Sequence, residues 1–215
     1  MDKKEFEVLE VGNMPVILAG TAAAALAVIG LAGIIPWGAV AISAIAIGAA
    51  LILVGLALGV EKKHILSETV GGRLEGPKLI SAGIGMEVLT GVVSVVLGIL
   101  ALLHIHPNVL LGADAIVLGM TALYLCGVDG RMNRYRGAGT GDEYIKTRLQ
   151  ETVSVVIDAQ FMVGLGAIAL GILALVHIAP QVLELVAFLS IGVTLALKGS
   201  TLAARLTQEY HQSAA

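Results

Sequence analysis

The chain has 215 residues, of which 57% are hydrophobic and only 13% are charged, and its mean hydropathy is +0.94. A water-soluble domain of this length does not carry so much apolar surface, so the composition indicates a membrane protein. The net charge of −3 and the absence of a basic stripe argue against binding to nucleic acid. The single cysteine, Cys126, excludes an intrachain disulfide.

Six long apolar runs follow one another along the chain. The hydrocarbon core of a bilayer is roughly 30 Å thick, which a helix of about 20 residues can span. The runs lack the alternating pattern of a membrane barrel, and the first is too long for a signal-peptide core, so we expect it to be retained. We therefore predict an all-α, polytopic membrane protein with six transmembrane helices, at about 15–35, 39–60, 79–103, 109–128, 153–176 and 182–197.

A proline separates the two runs of each successive pair. Pro36, Pro107 and Pro180 each have a glycine sixteen residues before them and another twelve residues after them. This recurrence predicts three copies of one helical hairpin. We number repeat positions from these prolines, so that the two glycines lie at −16 and +12. The predicted divisions are a cytoplasmic N-terminal segment (1–13), hairpin repeats (14–60, 79–128 and 153–200), cytoplasmic connections (61–78 and 129–152, the second with a glycine-rich stretch at 137–141) and a cytoplasmic C-terminal tail (201–215).

Small residues also recur seven residues apart within the first helix of each copy. Two helical turns separate such residues, which places them on one face and allows helix backbones to approach closely. The sequence thus predicts tight helix packing, within one protomer or between protomers. The predicted packing residues are Gly20, Gly91, Gly98, Gly164 and Gly171.

All 13 lysine and arginine residues lie before the first run, after the last run or in the two long connections, and none lies in the short turns at the prolines. With six spans, these four segments share one side of the membrane. The excess of basic residues on the cytoplasmic side then places both termini in the cytoplasm. The expected location is a bacterial-type inner membrane.

Ionisable side chains within apolar spans are energetically costly and are therefore candidates for function. Asp114, at +7, is the first candidate, because it lies about 10 Å into its helix. Glu87 and Gln160 share position −20, which predicts a polar contact between hairpins. Asp158 and Glu184 lie closer to the span ends, where we expect interfacial acids. The contact of Glu87 and Gln160 either conducts protons or holds helices together, and the sequence favours the second role.

Three histidines lie beside the turns, with His104 and His177 at −3 and His106 at −1. Histidine titrates near pH 6.5, so the three residues are candidates for sensing acid. The two at −3 are also candidates for haem ligands. The spacing of His104 and His106 does not match a zinc motif. The favoured interpretation is plain interfacial residues, with no cofactor and no metal.

The apolar hairpin with proline at its tip and glycine twelve residues later, as in Pro107 with Gly119 and Pro180 with Gly192, resembles the HdeD-like short-repeat bacterial membrane proteins. The resemblance covers most of residues 14–200. It implies a six-helix inner-membrane protein associated with acid and other stress, and it brings no catalytic motif.

No catalytic constellation with a local signature is present, so we predict that the protein is not an enzyme. The favoured function is a structural or accessory subunit, related to stress, that packs through its small-residue faces in a homo-oligomer or a larger membrane complex. One alternative is a proton or small-solute channel or transporter that uses the intramembrane acids. A further alternative is a redox subunit that holds haem or metal through His104 and His177. The lipid bilayer is the expected partner in each case.

Overall fold

The computed structural model describes the backbone of residues 3–68, 75–136 and 143–213 and the side chains of 17–56, 85–127, 155 and 157–200. These residues form six helices and no strand, which confirms the all-helical prediction for this part of the chain. The helices are α1 (Lys3–Leu31), α2 (Pro36–Glu68), α3 (Glu75–Leu102), α4 (Pro107–Arg136), α5 (Glu143–Leu175) and α6 (Pro180–Ser213).

Five of the helices contain a stretch that is long and apolar enough to cross a membrane. These stretches are Pro36–Leu56, Gly85–Leu102, Pro107–Gly127, Ile157–Leu175 and Pro180–Ser200. The corresponding part of α1, Ile17–Leu31, is shorter than the other five among the residues searched. The chain is thus a multi-pass helical membrane protein, and the sixth span stays a prediction.

The helices continue beyond the apolar runs into segments predicted as polar connections. Helix α2 ends only at Glu68 and α4 only at Arg136. Residues 61–68 include glutamate, lysine and leucine, which favour helix, and adding a residue to an existing helix needs no new nucleation. Residues 69–74 of the first connection lie outside the described residues, and its last four residues already belong to α3. The predicted glycine-rich stretch at 137–141 also lies outside the described residues.

The three short turns share one backbone conformation. At repeat position −3, Gly33, His104 and His177 have φ values of 85°, 61° and 65°. The N–H of His104 donates to the carbonyl of Ala101, and the next N–H donates to the carbonyl of Leu100, as in a Schellman helix end. The proline that follows begins the next helix, where it needs no N–H donor. Each turn therefore reverses the chain and pairs two helices side by side.

The six helices form a closed ring in chain order. Each helix contacts the next one, and α6 contacts α1. Helices α2, α4 and α6 also contact one another, whereas α1, α3 and α5 do not touch each other in the described part of the chain. The helices that begin at the prolines are thus an inner trio, and the other three lie outside it.

Glycines face each other where helices of successive copies cross. In each pair the glycine at +12 of one copy meets the glycine at −16 of the next, and the third copy meets the first. A Cβ atom added to the first member of each pair would lie 2.6, 2.7 or 3.0 Å from the partner's carbonyl oxygen, which is closer than a Cβ can normally approach. The pairs are Gly48 with Gly91, Gly119 with Gly164, and Gly192 with Gly20.

A second set of close contacts lies seven residues, or about two helical turns, nearer the short turns. A Cβ on Gly98 would lie 3.0 Å from the carbonyl oxygen of Ala41, and a Cβ on Gly171 would lie 2.8 Å from that of Gly112. All five glycines predicted to pack helices are therefore at helix crossings within this one chain.

The centre of the inner trio is apolar. Residues at equal repeat positions lie at about the same depth, because each inner helix begins at its proline. Position +11 carries Ile47, Leu118 and Ile191, which are all buried in one hydrophobic cluster. We call these three residues the apolar layer.

The outer surface of the bundle is also apolar. Large hydrophobic side chains are exposed on all six helices, as expected for a protein whose surroundings are lipid. Examples are Leu18, Val28, Ile42, Leu56, Leu89, Val96, Met120, Phe161, Met162, Val193 and Leu197.

Candidate functional site

Asp114 lies at the centre of a polar cluster in the half of the bundle near the short turns. Its side chain, on α4, is fully buried, and its Oδ2 accepts a 2.8 Å hydrogen bond from the Ser94 hydroxyl on α3. The same hydroxyl lies 3.0 Å from the carbonyl oxygen of Ala44 on α2. A hydroxyl has one hydrogen, so Ser94 serves one of these acceptors at a time. Within the described residues, Asp114 Oδ1 has no hydrogen-bond partner.

Glu184 is buried between the helices in the same half, and its position near the membrane interface stays a prediction. Its side chain is 1% exposed. The residues at the same repeat position, Val40 and Leu111, are buried as well. The inner trio thus packs closely from its first turn, so that four residues beyond the proline is already interior. Neither carboxyl oxygen of Glu184 has a hydrogen-bond partner among the described residues.

The other half of the bundle contains a small pocket, which we call the inner pocket. Its volume is about 40 Å³, and side chains from α2 to α6 line it. Glu87 and Gln160, the two polar residues at −20, both lie on its wall. Its polar lining consists of Glu87, Thr121, Gln160, Thr194 and Lys198, and its apolar lining includes Leu51, Leu118, Leu125, Ile191 and Leu195.

Gln160 links two hairpins at this pocket. Its Nε2 donates a 3.1 Å hydrogen bond to the carbonyl oxygen of Ala122, which joins α5 to α4. Its Oε1 is buried and accepts no hydrogen bond from any described residue. The side chain therefore offers one unused acceptor at the pocket.

The two threonines of the pocket direct their hydrogens along their own helices. Thr121 donates to the carbonyl oxygen of Val117 at 2.9 Å, and Thr194 donates to that of Ser190 at 2.8 Å. Thr90 and Thr121 lie 2.7 Å apart, and either hydroxyl can be the donor of that pair. The hydroxyl oxygen of Thr194 is available as an acceptor at the pocket.

Sequence reasoning missed several of these residues. Lys198 was assigned to the segment beyond the sixth run, but it lies within the candidate span Pro180–Ser200 and lines the inner pocket. Thr121 and Thr194 share position +14, a signal that a search of hydroxyl residues by repeat position would have found. Asp158, in contrast, is exposed on α5. It belongs neither to the cluster around Asp114 nor to the lining of the inner pocket.

The histidines occupy backbone positions that explain their recurrence. His104, His106 and His177 are exposed, and all three have positive φ values. Histidine is one of the few side chains found repeatedly in this left-handed region, and the first copy has Gly33 at the same position as His104 and His177. The ring of His104 packs against Trp37, with 4.4 Å between ring centroids. Among the described residues, no group of three or more metal-ligating side chains comes together.

His177→Gly tests this explanation. Glycine adopts the left-handed conformation without steric cost, so we expect the free energy of unfolding to rise by about 1 kcal/mol. His177→Val, whose branched side chain is unfavourable there, should lower it. Unfolding of the purified protein in mixed detergent micelles, followed by circular dichroism, measures both changes. A glycine variant less stable than the parent would contradict a purely conformational role.

The fold and these clusters define a multi-pass helical membrane protein with carboxyl, amide and hydroxyl groups buried between its helices. No protein-family model, no curated protein and no solved structure matches the chain. The likeness to the HdeD-like proteins stays a prediction from the hairpin pattern.

Proposed function

We propose that the protein moves protons or a small cation across a bacterial-type inner membrane through the interior of its helix bundle, without enzymatic activity. In this proposal all six helices span the bilayer as three hairpins, and the basic segments place both termini in the cytoplasm. The observation that carries the proposal is the pair of buried carboxyl groups, Asp114 and Glu184, whose hydrogen bonding is incomplete among the described residues.

Incomplete hydrogen bonding separates this role from a purely structural one. A buried polar group that only holds helices together is expected to be satisfied, because leaving it unsatisfied costs about 1–3 kcal/mol. Ser94 serves only one oxygen of Asp114, and no described residue serves Glu184. Ionisable side chains inside a membrane domain often mark proton and ion pathways.

The accessory-subunit hypothesis loses one of its supports. It relied on the short turns, on the lack of catalytic motifs and on glycine faces that could pack within one protomer or between protomers. Gly48, Gly91, Gly119 and Gly164 instead lie where helices of the same chain cross. A partner would need another surface, so transport is the better supported function. The haem alternative has a competing explanation as well, since His104 and His177 suit the left-handed turn position.

Proton flux into liposomes tests the proposal through Asp114. Liposomes containing the purified protein and an internal pH dye receive a potassium diffusion potential with valinomycin. We expect the parent protein to acidify or alkalinise the lumen faster than empty liposomes, in the direction that the potential dictates. Asp114→Asn should reduce this flux to the level of empty liposomes, because the amide keeps the shape of the side chain but does not take up and release a proton at neutral pH.

Asp158→Asn is the matched control, since it makes the same chemical change at an exposed acid outside both clusters. Its flux should equal that of the parent. Equal flux through the Asp114→Asn variant and the parent, or a parent no faster than empty liposomes for protons, sodium and potassium, would refute the proposed function.

A further inference from the structure

We propose that the inner pocket binds water and ends at the apolar layer, so that water reaches the bundle interior from the Lys198 side and is separated there from Asp114. The inference deepens the proposed function, since it names the route by which protons would enter. Its water-binding part rests on the pocket alone.

The size and chemistry of the pocket fit water. One water molecule needs about 10–15 Å³ of such volume, so 40 Å³ holds roughly three. The unused groups are acceptors, namely Gln160 Oε1 and the hydroxyl oxygen of Thr194, so a guest must donate hydrogen bonds. A bound water molecule typically uses two to four polar partners, which this lining supplies.

The charges of the lining favour water over a metal cation. Glu87 contributes one negative group and Lys198 contributes one positive group to the same pocket. Their formal charges cancel, and the ammonium group of Lys198 repels a metal cation bound in the same pocket. A neutral donor such as water meets neither obstacle.

The pocket ends at the apolar layer because of the order of residues along α4 and α6. On α4, Leu118 lies one turn from Asp114 and one turn from Thr121, and the three residues are spaced as i, i+4 and i+7 on one helical face. About 10 Å of helix separates Asp114 from Thr121. Leu118 and Ile191 both line the pocket, and both belong to the apolar layer with the buried Ile47. A hydrophobic constriction of this kind excludes water while it is closed and so acts as a gate on a pathway.

Radiolytic hydroxyl-radical labelling tests the inference directly. A short X-ray pulse generates radicals from water bound inside the protein, and mass spectrometry then locates the oxidised side chains. Leu195 and Leu185 make a matched pair, since both are buried leucines on α6, one lining the pocket and the other on the far side of the layer. We expect Leu195 to be labelled several-fold more than Leu185, and the intrinsically more reactive Phe188 to stay unlabelled.

Two variants sharpen the test. The nearly isosteric Thr194→Val removes a water partner and should lower labelling of Leu195. Leu118→Ser opens the apolar layer and should extend labelling to Leu185 and Phe188. Equal labelling of Leu195 and Leu185 in the parent protein would overturn the inference, and this measurement needs no variant to fold.

The labelling result is independent of transport. Labelled Leu195 together with no proton flux would retain the water site and refute the proposed function. Proton flux with unlabelled Leu195 would retain the proposed function and refute the water site.

Discussion

Gly119→Val is expected to force α4 and α5 apart and to lower the free energy of unfolding by about 1–3 kcal/mol or more. A Cβ atom at this position would lie 2.7 Å from the carbonyl oxygen of Gly164 and 3.0 Å from the backbone nitrogen of Ile168. These are main-chain atoms, so no side-chain rotation relieves the overlap. Packing of this kind is also the main force between helices in lipid, where there is little hydrophobic drive for association.

Gly119→Ala has two opposing effects on the free energy of unfolding. Replacing glycine by alanine in a helix is worth about 1 kcal/mol through helix propensity. At Gly119 the steric overlap should outweigh this gain, so Gly119→Ala should still be destabilising. At Gly166, on α5, an added Cβ would meet nothing within 4 Å, so Gly166→Ala should be stabilising.

The measurement is unfolding in mixed micelles with increasing denaturing detergent, followed by circular dichroism. Gly166→Ala is the matched control, because it makes the same change at a helical position that no neighbouring atom approaches within 4 Å. If Gly119→Ala and Gly166→Ala were equally stabilising, the close crossing of α4 and α5 would be wrong.

The sequence predicted the all-helical class correctly because helix formation depends largely on local chemistry. Prolines such as Pro107 begin helices wherever they occur in this pattern, and the apolar runs around them are long enough to settle the helical class. The glycines at −16 were recognised as packing residues. Their partners at +12 of the preceding copy were not, because which helix meets which is decided by the closed ring and not by spacing within one hairpin.

Burial was harder to predict than helix position. The distance of Glu184 from Pro180 does not indicate its burial, which depends on the neighbouring helices, and α6 belongs to the inner trio. His104 and His177 were candidates for haem ligands because of their matched positions, although plain interfacial residues were favoured. The first copy has Gly33 at repeat position −3. A position that carries glycine in one copy and histidine in the others indicates a left-handed backbone conformation.

Glu184→Leu is expected to stabilise the protein. Leucine has a similar size, and the second copy already carries a buried leucine, Leu111, at this repeat position. The carboxyl group gave up its hydrogen bonds to water and found no replacement among the described residues, which costs about 1–3 kcal/mol. The free energy of unfolding should rise by about that amount, measured by the same detergent titration. The reverse change in the second copy, Leu111→Glu, should lower it.

The combination of stability and flux then distinguishes the two roles of the buried acids. If Glu184 holds helices together, Glu184→Leu should lower the stability and leave proton flux through any folded protein unchanged. If Glu184 belongs to the proton route, the variant should be more stable than the parent and should conduct fewer protons. In that case the buried carboxyl group lowers stability but is needed for conduction. Higher stability with unchanged flux would remove Glu184 from the route and leave Asp114 as its one buried acid near the turns. Glu184 is the sharper probe of the two, since at Asp114 the loss of the Ser94 hydrogen bond would mix a structural cost with a functional one.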